Sequence, residues 1–165
     1  MSGEAAKRRF REIVLPHLDD AYRLAKWLAG NGADAEDIVQ EAALRALAAL
    51  ESTTPLKPRA WWLAIVRNAA LSWIARRRPT TELDDALAEP GPDPEAALIA
   101  RDEGLRLSRA MESLPASLRE TLALREIEEL NYREIAAATQ APLGTVMSRL
   151  ARARAALTKI LKAGE

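Results

Sequence analysis

The sequence contains no cysteine and a single histidine, His17, among its 165 residues. Disulfide bonds and thiolate metal sites are therefore excluded, and a cluster of histidine ligands cannot form. No Gly-rich phosphate loop occurs. No apolar run approaches the roughly 18 residues of a membrane span, and the start, MSGEAAKRRF, lacks the apolar core of a signal peptide. We therefore expect a cytoplasmic protein that is not an enzyme, holds no metal or cofactor and does not insert into a membrane.

Aromatic residues are also scarce, at 4% of the chain, whereas Ala and Leu dominate an apolar fraction of 48%. Those residues favour helices, and long alternating β-branched runs are missing, so the composition predicts an all-α fold. The 24 cations and 24 anions balance over the whole chain but are segregated along it. Residues 1–78 have a balance of +4, residues 79–104 of −7 and residues 105–165 of +3. With EPGPDP in its middle segment, the chain is predicted to form two helical domains, 1–78 and 105–165, joined by a flexible acidic linker, 79–104.

The last predicted helix, GTVMSRLARARAALTKILK, contains five cations and no acid. Before it, YREIAAAT predicts a short helix and QAPLG a turn, which together outline a helix-turn-helix. Apolar residues of the last helix recur at a spacing of three and four, as in a stripe that faces a core: Val146, Leu150, Ala153, Leu157, Ile160 and Leu161. A solvated face with cations near the helix C-terminus is the alternative interpretation. Solvated faces usually mix both signs, so a surface without acids favours contact with DNA phosphates.

The stretch LPASLRETLALREIEELNYREIAAATQAPLGTVMSRLARARAALTKIL resembles the fourth conserved region of bacterial sigma factors, especially the extracytoplasmic-function group of the sigma-70 family. That resemblance implies a helix-turn-helix domain that binds the upstream minus-thirty-five promoter element and touches the polymerase flap. Met147 departs from the family pattern, which usually has Lys or Arg there, and Gln140 stands where the turn commonly has Gly. The residues expected to contact the upstream element, named here the recognition face, are Thr145, Ser148, Arg149, Arg152, Arg154 and Lys159.

The stretch ADAEDIVQEAALRAL is predicted to be a helix with apolar residues on one face: Ile38, Val39, Ala42, Ala46 and Leu50. It resembles the second conserved region of the same family, whose helix docks on the clamp of core RNA polymerase. The other face, named here the polymerase ridge, would make that contact through Asp37, Gln40, Glu41 and Leu44.

The next stretch, PRAWWLAIVRNAALSWIARRRP, resembles the promoter-melting segment of the family, although Ser72 stands where the family has Asp. The resemblance gives the preceding loop, Glu51 to Arg59, the task of holding an unstacked base, with Trp61 in the core beneath it. Tryptophans in a helical bundle are usually core residues, and three arginines can simply end a helix. The residues that the resemblance places near the minus-ten element are Asn68, Arg76, Arg77 and Arg78.

We also expect three polar residues to cap helices: Asp34, Ser113 and Thr145. The resemblance as a whole implies a small sigma factor that binds core RNA polymerase and promoter DNA, serves a stress or envelope regulon and is controlled by an anti-sigma factor. A sigma-like decoy that captures an anti-sigma factor is one alternative, but decoys normally carry a receiver domain, for which this length has no room. A plain helix-turn-helix regulator is another, but it leaves residues 1–78 without a role.

Overall fold

The computed structural model describes residues 3–30, 32–77 and 103–163, and every regular element in these ranges is helical. The predicted all-α fold is thereby confirmed. Arg78 and most of the predicted linker lie outside the described residues. The first unit consists of α1 (Gly3–Ile13), a 3-10 turn (Leu15–His17), α2 (Leu18–Ala29), α3 (Gly32–Ala49) and α4 (Pro58–Arg77). The second consists of α5 (Glu103–Glu112), α6 (Ala116–Leu122), a π-helical segment (Ala123–Ile127), α7 (Tyr132–Thr139) and α8 (Leu143–Ala163).

The first unit is a bundle in which α2, α3 and α4 pack on one another, with α1 against α3 and α4. The predicted apolar face of α3 is buried along its whole length, as its spacing indicates. Trp62 of α4 is fully buried and its indole N–H donates to the carbonyl of His17 at 3.2 Å. Trp61 and Trp73 are only half-buried. Burial of Trp62 therefore fixes α4 against the 3-10 turn that precedes α2.

The second unit contains the predicted short helix, turn and long helix. Asn131 caps α7 through a reciprocal pair of hydrogen bonds with Glu134, each of 2.8 Å, which satisfies two backbone N–H groups at the helix start. Gln140 ends α7 in the left-handed region, with φ of 54°, although it is not the glycine that favours this conformation. The chain then turns into α8 through Ala141 and Pro142.

The apolar stripe of α8 is buried only over its first half. Val146, Leu150 and Ala153 are buried, as predicted. Farther along, Leu157 and Leu161 are half-buried and Ile160 is 36% exposed, so the prediction of a continuous core stripe is wrong there. The guanidinium of Arg106 in α5 donates to the carbonyl of Leu161 at 3.1 Å, a polar contact at the end where a purely apolar one was expected.

The predicted caps at Asp34, Ser113 and Thr145 are wrong. The helix around Asp34 already begins at Gly32, and that around Thr145 already begins at Leu143. The Ser113 hydroxyl donates to the carbonyl of Ala110 at the end of α5 and does not cap the start of α6, where Pro115 is the N-cap residue. In two of the three cases a proline precedes the helix, Pro115 before α6 and Pro142 before α8, and its fixed φ prepares the chain for a helical turn.

The two units pack together: α7 lies against α4, while α6 and the π-helical segment touch α2. Buried apolar side chains from both units form one continuous cluster. Among the described helices, none is long and apolar enough to cross a membrane.

Candidate nucleic-acid and polymerase interfaces

The recognition face lies on the solvent side of α8. Ser148, Arg152 and Lys159 are exposed, whereas Thr145 and Arg149 are half-buried at the edge of the core stripe. The Arg152 guanidinium reaches only the carbonyl of Ser148, one turn earlier, at 3.5 Å. Since α8 contains no acid, this face presents cations and hydroxyls to solvent without an opposing charge of its own helix.

Arg154 has a partner outside α8. Its guanidinium donates to the carboxylate of Glu126 in the π-helical segment, with the shorter bond at 2.5 Å. That hydrogen bond raises the pKa of Arg154 above its ordinary value. Both side chains are about half exposed, so the pair is a weak one in water. A phosphate that binds Arg154 would have to displace Glu126. Binding to the other residues of the recognition face would displace no carboxylate among the described residues.

The polymerase ridge lies on the outer face of α3. Asp37 and Gln40 are exposed, and Leu44 exposes 68% of its surface although it is a large apolar residue. The spacing of three and four places all four ridge residues on one side of the helix, as predicted. Glu41 is half-buried and accepts hydrogen bonds from Arg45 on its own helix and from Arg76 of α4, the latter at 3.0 Å. The ridge is thus joined to α4 by an ion pair.

The residues predicted near the minus-ten element do not form one cluster. Asn68 is exposed, and its side-chain oxygen accepts from the guanidinium of Arg67 at 3.0 Å. Arg76 and Arg77 lie about two turns farther along α4. They hydrogen-bond to acids of α3, Arg77 to Asp34 at 2.8 Å, and both approach the Trp73 ring within 6 Å of its centroid. Two of the three predicted arginines are therefore engaged within the first unit, and Arg78 is outside the described residues.

The predicted base-holding loop is anchored from below by α1. Arg9 donates to the carbonyl of Leu50 at 2.5 Å and to the hydroxyl of Thr54 at 3.1 Å, which fixes the first half of the loop. Leu56 is 97% exposed in its second half. Trp61, expected in the core beneath the loop, is half-buried in the first turn of α4.

A cluster of ion pairs between the two units was missed from the sequence. The Glu128 side chain, which has no exposed surface, accepts two hydrogen bonds from Arg23 and one from Arg59, all at 3.0 Å. Both arginines also donate to Asp20, at 2.7 and 2.8 Å. Two carboxylates thus share two guanidinium groups at the boundary of the units.

A second pair lies farther along α4. Arg67 donates to both carboxylate oxygens of Glu120 in α6, at 3.1 and 2.9 Å, and the two side chains are 14% and 5% exposed. At the margin, the ammonium of Lys57 lies 3.8 Å from the carboxylate of Glu134. These partners are 53 to 105 residues apart in the chain, so no local pattern could have indicated them.

Burial and charge act in opposite directions within the cluster. Burial raises the pKa of Glu128, and the two arginines offset this only in part. Burial also acts to raise the pKa of Asp20, but hydrogen bonds from Arg59 and Arg23 outweigh it and leave that pKa below its ordinary value. The hydrogen bond to Glu128 in turn raises the pKa of Arg23. The charge of Glu128 is therefore compensated only while both units are in place, whereas Asp20 keeps both arginines as partners within the first unit.

Comparison with known proteins gives two family matches. Residues 13–80 match the family described as Sigma-70 region 2, and residues 104–157 match that described as Sigma-70, region 4. The chain is 36% identical over 163 residues to the ECF RNA polymerase sigma factor SigE of Mycolicibacterium smegmatis, covering 96% of this chain and 63% of that protein. It therefore spans less than two thirds of that relative.

Two further similarities concern a shorter relative and a solved structure. The ECF RNA polymerase sigma-E factor of Escherichia coli K12 is 39% identical over 137 residues, which cover 75% of this chain and 72% of that protein. The structure of CnrH in complex with the cytosolic domain of CnrY superposes with a TM-score of 0.73 at 26% identity, covering 98% of this chain and 95% of CnrH.

Proposed function

Because the chain belongs to the extracytoplasmic-function group of sigma-70 factors, with regions 2 and 4, we propose that it binds core RNA polymerase and directs it to one class of promoters. It is a DNA-binding, helix-turn-helix protein of transcription initiation and not an enzyme. It acts by binding, and its contacts with polymerase and DNA direct the polymerase to a promoter. Since it acts on polymerase and DNA, the proposed place of action is the cytoplasm.

The observation that carries the proposal is that three separate surfaces required for this work all face solvent. The recognition face offers exposed cations on an acid-free helix, the polymerase ridge exposes Leu44, and Asn68 lies exposed on α4. A plain helix-turn-helix regulator would need only the first of these. We assign upstream-element contact to the recognition face, clamp contact to the ridge and minus-ten contact to Asn68 with the basic end of α4.

Control by an anti-sigma factor is a second part of the proposal. CnrH, which superposes on nearly the whole length of this chain, was solved in complex with the cytosolic domain of CnrY. A partner of that kind would hold the protein inactive until a signal releases it. The stress or envelope regulon implied by the resemblance would follow from that control.

Run-off transcription tests the proposal. The full chain is added to bacterial core polymerase with a library of genomic promoter fragments, and transcripts from a defined subset are expected. The matched control is core polymerase with the Leu44→Arg variant, which should give none of them. A decoy would bind an anti-sigma factor but start no transcript, and a plain regulator would bind DNA without needing the polymerase, so either result would contradict the proposal.

A further inference from the structure

The ion pairs described between the two units all run in one direction. The second unit carries a net positive charge, yet at this boundary it presents carboxylates, and the first unit presents their cationic partners together with Asp20, which Arg23 and Arg59 share. Arg67 and Arg23 each contact both oxygens of a single carboxylate. The cations are Arg23, Lys57, Arg59 and Arg67, and the acids are Glu120, Glu128 and Glu134.

A guanidinium that donates hydrogen bonds to both oxygens of a carboxylate can bind two oxygens of a phosphate with the same geometry. Three arginines of the first unit are held in this way or nearly so, and they adjoin residues already assigned to DNA. Arg67 donates to Asn68, the exposed minus-ten residue, as well as to Glu120. Arg59 lies where the base-holding loop passes into α4. The arginines therefore continue the proposed DNA surface under the second unit.

The packed arrangement of the units cannot be the one that spans a promoter. Its helix α7 touches both α4 and α8, and packed helices lie about 8–10 Å apart, so the recognition helix comes within about 20 Å of α4. Elements centred at minus ten and minus thirty-five are separated by about 25 base pairs, or about 85 Å of straight duplex. The units must separate before both elements are occupied, and separation uncovers the arginines.

We propose that Arg23, Arg59 and Arg67, here called the arginine patch, bind the DNA backbone next to the minus-ten site, and that Glu120 and Glu128 occupy the patch in place of phosphates while the units are packed. The inference rests on the proposed function, because that function is what places Asn68 and the loop against DNA. Region 4 and the promoter strand then compete for the same three guanidinium groups.

Replacement of the carboxylates by phosphates keeps each arginine of the patch paired with an anion. A buried charge is strongly destabilising once its partner is removed. The arginines and carboxylates can therefore separate only if water or another ion reaches them. When the units separate, Glu120 and Glu128 regain water and the arginines gain phosphates, which leaves no charge unpaired in an apolar site. Such an ionic boundary can therefore open without disrupting the apolar core of either unit.

Neutralising Glu120 tests the proposal in the full chain without polymerase. The Glu120→Gln variant should bind a labelled 15-nucleotide oligothymidine more tightly than the natural chain in fluorescence anisotropy at low salt. The expected gain is about threefold, as when a binding-competent state rises from about a tenth of the population to about a third of it. The matched control is Glu129→Gln, which removes an exposed acid of the same unit with the same charge change. Equal affinities of the two variants would overturn the proposal.

A second comparison separates loss of masking from general effects on folding. Adding Arg67→Gln to the Glu120→Gln variant should remove most of the gain, because the uncovered guanidinium is gone and no buried charge is left unpaired. A gain that survives Arg67→Gln would contradict the patch. If Glu120→Gln does not give a native circular dichroism melt, Glu120→Asp, which shortens the reach of the carboxylate to Arg67, is compared with Glu129→Asp, and a smaller gain in the same direction is expected. Because no polymerase is present, failure here is distinct from failure of run-off transcription, which would contradict the proposed function instead.

Discussion

Glu128 is a carboxylate without exposed surface, and its charge is compensated only by arginines from the other unit. Burial raises its pKa in the packed form, so when the units are apart the pKa falls back to about 4.5. A raised pKa means that the packed form binds a proton more readily. The contribution of Glu128 to packing is thus full below its ordinary pKa and declines as pH rises through the raised value. The lowered pKa of Asp20 does not bear on packing of the units, because Arg59 and Arg23, which lower it, belong to the same unit.

The raised pKa of Glu128 predicts that protonation of this carboxylate in mild acid does not separate the units. Since the natural chain has no cysteine, Glu12→Cys in α1 and Glu112→Cys in α5, both exposed positions, can carry a fluorescent donor and acceptor. Energy transfer between them should stay constant or rise when pH is lowered from about 7 to about 5. A fall in transfer over this range would contradict this prediction.

Arg152 is an exposed residue of the recognition face, and its guanidinium makes a long contact of 3.5 Å to a carbonyl of its own helix. Arg152→Ala should therefore weaken binding to the upstream element by about 1–3 kcal/mol and leave the helical circular dichroism and the melting temperature nearly unchanged. Footprinting of holoenzyme on an upstream promoter box measures the effect. The control is Lys162→Ala, which removes an exposed cation of the same helix outside the recognition face. A normal footprint for Arg152→Ala would refute the assignment.

At the scale of elements, the spacing of apolar residues predicted the buried helix faces well, whereas single polar residues predicted the helix caps poorly. The buried face of α3 and the first half of the α8 stripe follow directly from spacing, because a helix that packs on a core must repeat its apolar residues. Single polar residues that can cap occur at many positions, and Asp34, Ser113 and Thr145 did not use that ability. The actual capping box, Asn131 with Glu134, has the required spacing of three in the sequence and was overlooked.

The assignment of clamp binding to the polymerase ridge of α3 can be tested by a substitution at its exposed leucine. Leu44→Arg places a long cation at the centre of an otherwise acidic and polar surface, where 68% of the leucine is already exposed, so folding should not suffer. Affinity for core polymerase should fall by about tenfold or more, as for loss of a central apolar anchor. Gel filtration of a mixture with core enzyme measures holoenzyme formation, with Leu107→Arg, at an exposed leucine of α5, as the control. Undiminished assembly of Leu44→Arg would exclude the ridge as the clamp contact.

At the scale of the whole molecule, the sequence indicated two helical units of like net charge, and simple repulsion would keep such units apart. The structure shows why they nevertheless pack: the charges that face each other, Arg67 with Glu120 and Arg23 with Glu128, have opposite sign. Which charges face each other depends on contacts over 53 to 105 residues, and composition carries no information about them. The family resemblance predicts both DNA surfaces, which stay predictions, and it gave no indication of the ion pairs at the boundary of the units.

Separation of the units can be observed directly with the same labelled pair in α1 and α5. Energy transfer should be high in the free chain and should fall when core polymerase and a promoter fragment with both elements are added, because the two sites lie about 85 Å apart on duplex DNA. The labelled protein with Leu44→Arg, which should not join the polymerase, is the control and should retain high transfer. Unchanged transfer in an active initiation complex would mean that the packed arrangement persists on the promoter.

Glu41 belongs to the polymerase ridge and also holds Arg76 at the basic end of α4. One carboxylate cannot serve a clamp residue and Arg76 at full strength, so occupation of the ridge releases an arginine toward DNA, and DNA that takes Arg76 releases the carboxylate toward the clamp. Thermodynamic linkage requires the two effects to be equal: the factor by which polymerase tightens DNA binding is the factor by which DNA tightens polymerase binding. Arg76 is 54% exposed, which limits this coupling to below about 1 kcal/mol, or about fivefold. Because Glu41 is shared, binding of either partner, polymerase or DNA, would increase the affinity for the other.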